Sequence, residues 1–247
     1  MGSARFSHEV PMILGLLQCG HVPDAVQAKF GDYPTLYAAM FPGRDYDIRP
    51  WLVFEGEMPP GPDAADAWLI SGSRFGAYEG HDWIAPLEAL IRGIADTGRP
   101  LVGICFGHQI IAQALGGRVA KFDGGWTLGL QTYRIGDRVL RMNAWHQDQV
   151  LDLPPGAVRL GSSATCANAA FAIGAHILTL QAHPEFHAAL IETMIAVRGG
   201  DLPADRVAHA HAHLAGADDN GVAHAWIAHV LEGGAVADLP LAARERA

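Results

Sequence analysis

Over the first 117 residues short apolar runs alternate with amphipathic stretches, the pattern of an α/β chain. Residues 12–17 are apolar apart from Gly15, as expected of a strand buried on both faces. Residues 24–40 carry helical spacing interrupted near Gly31 and Pro34. Residues 47–54 read as a strand, and Pro50 points to a sheet edge because proline cannot donate to a ladder. Residues 67–70 read as a strand that runs into the turn Ser71-Gly72-Ser73. Residues 82–97 place Trp83, Ile84, Leu87, Leu90, Ile91 and Ile94 on one helical stripe, stopped by Gly98-Arg99-Pro100. A short apolar strand over 101–104 is followed by a helix over 107–115, closed by Gly116-Gly117.

Beyond residue 117 the texture changes. Residues 118–122, 127–135, 157–162, 169–173 and 176–181 read as successive strands, and 185–197 returns to helical spacing. The Ala- and His-rich tail predicts two more helices, 203–214 and 220–231, with a frayed end over 241–247. The predicted architecture is α/β: a largely parallel sheet with helices on both faces and antiparallel strands added after residue 117.

Composition narrows the function classes. Half of the 247 residues are hydrophobic and 17% are charged, which excludes wholesale disorder. A net charge of −9 argues against sequence-independent nucleic-acid binding, which needs a dense Lys/Arg surface. No run of eighteen apolar residues predicts a membrane span, and residues 1–10 lack the apolar core of a secretion signal. Three cysteines, Cys19, Cys105 and Cys166, are an odd number without regular spacing. They make no disulfide framework, and a reducing cytoplasm is the expected location.

The most informative segment is Gly103-Ile-Cys105-Phe-Gly107, where a buried strand ends and a helix begins at once. It is the cysteine version of the nucleophile elbow G-x-S-x-G. Such a turn should lift the Cys105 side chain above the sheet, exposed. The flanking residues must be small, or their Cβ atoms would strike the neighbouring strand or helix. The helix N-terminus behind Cys105 offers partial positive charge to an anionic sulfur, and the Phe106 N–H is free to face a developing oxyanion. Cys19 and Cys166 have no such context and read as buried packing residues.

A sulfur nucleophile needs a general acid/base, and that base needs an orienting group. In Gln181-Ala-His183-Pro184-Glu185-Phe186, Pro184 stiffens a turn that lets Glu185 fold back on the His183 imidazole. The competing reading is a helix start, with Pro184 at the first helical position and Glu185 in the first turn.

Together, Gly103-x-Cys105-x-Gly107-x-Gln109 and His183-Pro184-Glu185 resemble the class I glutamine amidotransferases of the Cys-His-Glu type. The likeness is greatest to free-standing relatives of the GMP synthetase glutaminase domain, and it covers about residues 11 to 197. It implies a flavodoxin-like three-layer sandwich, with residues 1–200 as the catalytic domain and 201–247 as a helical extension packed on it. Cys105 would attack the side-chain amide of glutamine, His183 would move the proton and Glu185 would orient His183. Phe106 and either Gly72 or Ser73 would form the oxyanion hole. Gln109, His146 and Asp148 would border the substrate's amino-acid end, His146 and Asp148 lying in the Trp145–Val150 segment that resembles the family's pocket loop. No cofactor is implied. With no synthetase domain after residue 197, ammonia goes to a separate subunit, or the enzyme hydrolyses a glutamine or γ-glutamyl amide on its own; the second reading is preferred.

Two other readings compete. The elbow-cysteine hydrolases and deglycases of flavodoxin-like fold lack His-Pro-Glu, which is present here. A silent regulatory amidotransferase-like protein would be expected to lose the nucleophile or the histidine, and both are present. His209, His211, His213, His224 and His229 invite a metal reading, with His209 and His213 sharing a helix face. No cysteine or placed carboxylate completes that set, so a solvated helix face is expected, and the tail should matter for stability more than for chemistry. Trp126 and Trp145 border the expected pocket as packing residues.

Overall fold

The computed structural model describes residues 11–241. The segment read as lacking a secretion signal, 1–10, lies outside the described residues. So does most of the end expected to fray; Leu241 itself accepts a hydrogen bond from the Asp137 N–H at 2.9 Å.

Up to residue 117 the elements follow the predicted order: β1 (Met12–Gln18), α1 (Asp24–Phe30), α2 (Tyr33–Met40), β2 (Tyr46–Leu52), β3 (Ala67–Ile70), α3 (Ile84–Thr97), β4 (Leu101–Ile104) and α4 (Phe106–Ala114). Then come β5 (Arg118–Lys121), β6 (Thr127–Ile135), β7 (Arg138–His146), β8 (Asp148–Asp152), β9 (Ala157–Ser163), β10 (Ala170–Ile173) and β11 (Ile177–Leu180). The chain continues through α5 (Ala188–Arg198), α6 (Ala204–Ala212) and α7 (Asn220–Leu231).

Nine strands form one mixed sheet in the order β2-β1-β3-β4-β11-β10-β9-β6-β7, while β5 and β8 pair separately. The ladders from β2 to β11 are parallel and those beyond β11 antiparallel. Strand β2, with Pro50, is an edge strand as its proline predicts. Alternation along the central strands splits the core into two layers. Ala67 and Leu69 of β3 join Val102 and Ile104 of β4 beneath α1, α2, α5 and α7. Trp68 and Ile70 face the other way, against Leu87, Ile91 and Ile94 of α3 and Ile110 and Ile111 of α4. The result is a three-layer α/β sandwich.

Two features depart from the sequence pattern. Strands β7 and β8 lie where no strand was predicted, and the segment around His146 and Asp148 is their junction, Gln147, rather than a loop. Strand β7 loses its alternation at Met142, Asn143 and Ala144, all buried, and no turn residue separates it from β8. Helix α5 starts at Ala188, not near Glu185: His187 is its N-cap, with extended backbone and a ring nitrogen accepting from the Leu190 N–H at 3.3 Å. Pro184 and Glu185 therefore precede the helix, and the helix-start reading of these residues does not hold.

Helix α7 packs on β4 and β11. Its Ala223, Trp226, Ile227, Val230 and Leu231 are buried in the same apolar layer as Leu178 and Leu180. Trp226→Ala should lower unfolding stability by about 3–5 kcal/mol, a large share of a typical total of about 5–15 kcal/mol. A chain ending at residue 200 should lose cooperative unfolding altogether, read by denaturant titration; a cooperative transition of full amplitude would contradict this packing.

Candidate active site

Cys105 links β4 to α4 at φ 54°, ψ −101°, and it is the one non-glycine with positive φ among the described residues. Its N–H is held by the Leu180 carbonyl of β11 at 2.8 Å, and the Gly107 N–H by the Ser71 carbonyl at 3.1 Å. A Cβ on Gly103 would lie 2.5 Å from the Gly107 backbone, and one on Gly107 would collide with the Ile70 carbonyl. Helix α4 thus comes too close to the sheet for any side chain at either position. Backbone strain of this kind costs on the order of 1–3 kcal/mol and persists where the surroundings over-determine it. The thiol does not stand free in solvent as expected: Cys105 is 5% exposed and lies on the floor of a cavity. Cys19 and Cys166 are buried, and burial pushes the Cys166 thiol up to about 12 and that of Cys19 well above its usual value.

His183 Nδ1 lies 2.7 Å from Glu185 Oε1, with both side chains buried. Burial works against the imidazolium, but the adjacent Cys105 sulfur and the Glu185 carboxylate outweigh it and raise the His183 pKa. The Phe186 ring stacks face to face on the imidazole, with centroids 4.1 Å apart. The His183 N–H donates to the Asn143 carbonyl of β7 at 2.8 Å.

The cavity above Cys105 holds about 430 Å³ and brings Cys105, His183, Ser73, Gln109, His146 and Asp148 onto one wall system. No acceptor among the described residues takes the N–H of Phe106 or of Ser73. Gly72 is not among the residues lining the cavity, and an added Cβ there would meet the Tyr33 hydroxyl at 2.6 Å and His183 Cε1 at 2.9 Å. Gln109 Nε2 donates to the Asp148 carbonyl at 2.8 Å. The Asp148 carboxylate accepts from the Tyr78 hydroxyl at 3.0 Å, and burial raises its pKa. His146 is neutral, since burial lowers its pKa to about 3, and neither ring nitrogen has a protein partner among the described residues. Trp126 and Trp145 line the cavity while packing on the core.

Sequence reasoning missed Gln181, whose Nε2 lies 3.6 Å from Cys105 Sγ and whose Oε1 accepts from Gln109 at 3.2 Å. The signal was there: Gln181 lies two residues before His183, directly after β11. Tyr78 and Asn143 carried no such signal. Among the described residues no group of three or more His, Cys, Asp or Glu is placed to hold a metal ion, and no helix is long and apolar enough to cross a membrane. His229 Nε2 donates to the Ala235 carbonyl at 3.2 Å and His224 Nε2 to that of Pro184 at 2.9 Å, so these two are not part of a solvated face.

In fold the chain is similar to a glutamine amidotransferase from Thermotoga maritima, with a TM-score of 0.67 at 22% identity, covering 89% of this chain and 96% of the other. In sequence it is 32% identical over 200 residues to gamma-glutamyl peptidase 4 of Arabidopsis thaliana, covering 73% of this chain and 80% of the relative. It is also 32% identical over 139 residues to a glutamine-hydrolyzing GMP synthase of Burkholderia vietnamiensis, which spans 49% of this chain but 25% of the synthase. The sequence model of the class-I glutamine amidotransferases matches residues 58–196, so more than half of the chain, and with it the strained Cys105 elbow, belongs to that family.

Proposed function

We propose that this chain hydrolyses the γ-amide of glutamine or of a γ-glutamyl compound through a thioester on Cys105, with no partner protein required. The observation that carries the reading is the elbow cysteine beside a buried His183–Glu185 pair on the floor of one cavity. The Cys105 sulfur adds to the amide carbon, and the oxyanion is met by the N–H groups of Phe106 and Ser73, which have no other acceptor among the described residues. Of the two loop donors considered, Ser73 lines the cavity and Gly72 does not, which favours Ser73. As the C–N bond breaks, His183 gives its proton to the departing nitrogen. Water then attacks the thioester, His183 takes a proton from it, and the glutamyl acid leaves with the thiol restored. Glu185 fixes the imidazole tautomer and favours the charged form. Asp148 would take the substrate's α-ammonium, while neutral His146 and Gln109 flank the same end.

A volume of about 430 Å³ falls within the range of pockets that take drug-sized ligands, so it leaves room for a leaving group larger than ammonia. The relatives named gamma-glutamyl peptidases favour such a substrate. The GMP synthase relatives favour the other reading, in which ammonia passes to a separate synthetase subunit. A cysteine nucleophile fits a reducing compartment such as the cytoplasm.

The isolated protein should release glutamate from glutamine or a γ-glutamyl dipeptide at a steady rate, and an electrophilic glutamine analogue should label Cys105. Slow labelling, with turnover stimulated many-fold by a co-purified synthetase, would instead establish the dependent-subunit reading. Cys105→Ala should abolish turnover, while Cys19→Ala and Cys166→Ala should alter stability and leave the rate per folded molecule unchanged; activity surviving in the Cys105 variant sinks the mechanism.

His183→Ala should lower kcat by about 10²–10⁴-fold, the usual contribution of general acid–base catalysis. Glu185→Gln should lower it less. Removing the Glu185 charge withdraws one cause of the raised His183 pKa, so the imidazolium is lost at lower pH and the alkaline limb of kcat/KM should move down. A limb that stays in place would show that Glu185 does not set the His183 charge.

A further inference from the structure

We infer that helix α7, which lies beyond the segment matched by the family model, holds the His183–Phe186 turn in its working geometry, with His224 and Asn220 as positioning residues. The turn leaves β11 and must present His183 to both Cys105 and Glu185. Its Pro184 and Phe186 carbonyls lie outside the sheet ladder, and both point their acceptors at α7. His224 Nε2 donates to the Pro184 carbonyl at 2.9 Å, and a carbonyl can only accept, so Nε2 carries the hydrogen. Asn220 Nδ2 donates to the Phe186 carbonyl at 3.2 Å, where Asn143 Nδ2 from β7 also donates at 2.8 Å.

Asn220 and His224 are spaced i, i+4 and so share one helix face, the face turned to the catalytic turn. Ile227 and Leu231 continue the same stripe and Trp226 and Val230 flank it, all four buried in the core, which fixes the helix against the sheet. The connection to the chemistry is short. The Phe186 ring lies parallel to the His183 imidazole at 4.1 Å, so a shift of the Phe186 carbonyl shifts the surface on which the imidazole rests. Release of the Pro184 carbonyl frees the peptide between His183 and Glu185, whose contact is 2.7 Å. The helix thus clamps the turn from one side and β7 from the other.

The turnover part of the test rests on the hydrolase reading above; a second measurement does not. For turnover, His224→Ala should lower kcat on a γ-glutamyl dipeptide by about tenfold to a hundredfold, the scale of a small misplacement of catalytic groups, with KM within about twofold. His224→Gln, which keeps an N–H donor, should recover most of the rate, and Asn220→Ala should fall between. Val230→Ala loosens the same helix without touching the turn, and below its melting temperature it should keep the wild-type kcat. For the second measurement, iodoacetamide alkylation of Cys105, quantified by mass spectrometry, should slow several-fold in His224→Ala and recover in His224→Gln. If wild-type protein turns over no substrate tried, the hydrolase reading fails while the alkylation comparison still decides the positioning role. Equal rates in wild type and His224→Ala, equal losses in the Gln and Ala variants, or an equal loss in Val230→Ala would each overturn it.

Discussion

The approach of α4 to the sheet is the constraint on which the site depends. The helix begins one residue after β4 ends, so its first turn rests against the backbone of β3 and β4. Only glycine fits at 103 and 107, and the chain can turn that sharply only if Cys105 takes a positive φ. The same turn sets the sulfur over the sheet and leaves the Phe106 N–H without a helical acceptor. The Ser71 carbonyl, bonded to Gly107, ties the 71–73 turn to the elbow, which brings Ser73 to the cavity. One tight packing contact therefore places a nucleophile and two backbone donors together.

Parallel pairing supplies the second half. Strand β11 lies beside β4 in register from Ile177↔Leu101 to Leu180↔Ile104, so the residues following both strands emerge at the same edge of the sheet. Cys105 comes directly after β4 and His183 three residues after β11. Burial there would strip the imidazole of its charge, as it does for His146 and His108, both lowered to about 3. What separates His183 from those two is its neighbours: the Cys105 sulfur on one side and the Glu185 carboxylate on the other. The three imidazoles share a burial class and differ in company, and company decides the protonation state.

Much of this was legible in the chain. The alternating pattern fixed the parallel half, because central strands and their helices carry strong local periodicity. The paired glycines around Cys105 and the His183-Pro184-Glu185 turn were readable because each meets a local steric or electrostatic need. What escaped reading depends on distant residues. Strand β7 is an edge strand whose middle is buried on both faces, so its alternation breaks where the catalytic turn crosses it at the Asn143–His183 bridge. Tyr78 gains meaning from a cavity wall that sequence spacing does not encode. His224 read as one more polar position in an Ala/His-rich helix, since a bond to a carbonyl forty residues away leaves no periodic trace.

That last miss bears on where the catalytic unit ends. The matched family segment, residues 58–196, contains the elbow and the His183–Glu185 turn, yet it omits α7, which holds the turn's carbonyls, and the buried Tyr33 and Tyr37, whose pKa values burial and the Glu185 charge raise. An acid–base histidine held by its orienting carboxylate at 2.7 Å tolerates little displacement. The elements that buttress it are then bound by the same geometric demand as the pair itself, although no chemistry passes through them. A helix whose apolar side chains complete the core while Asn220 and His224 grip the turn meets both demands at once. Stability and catalytic geometry thus draw on one helix through different side chains: Trp226 and Val230 pack in the core, while Asn220 and His224 hold the turn.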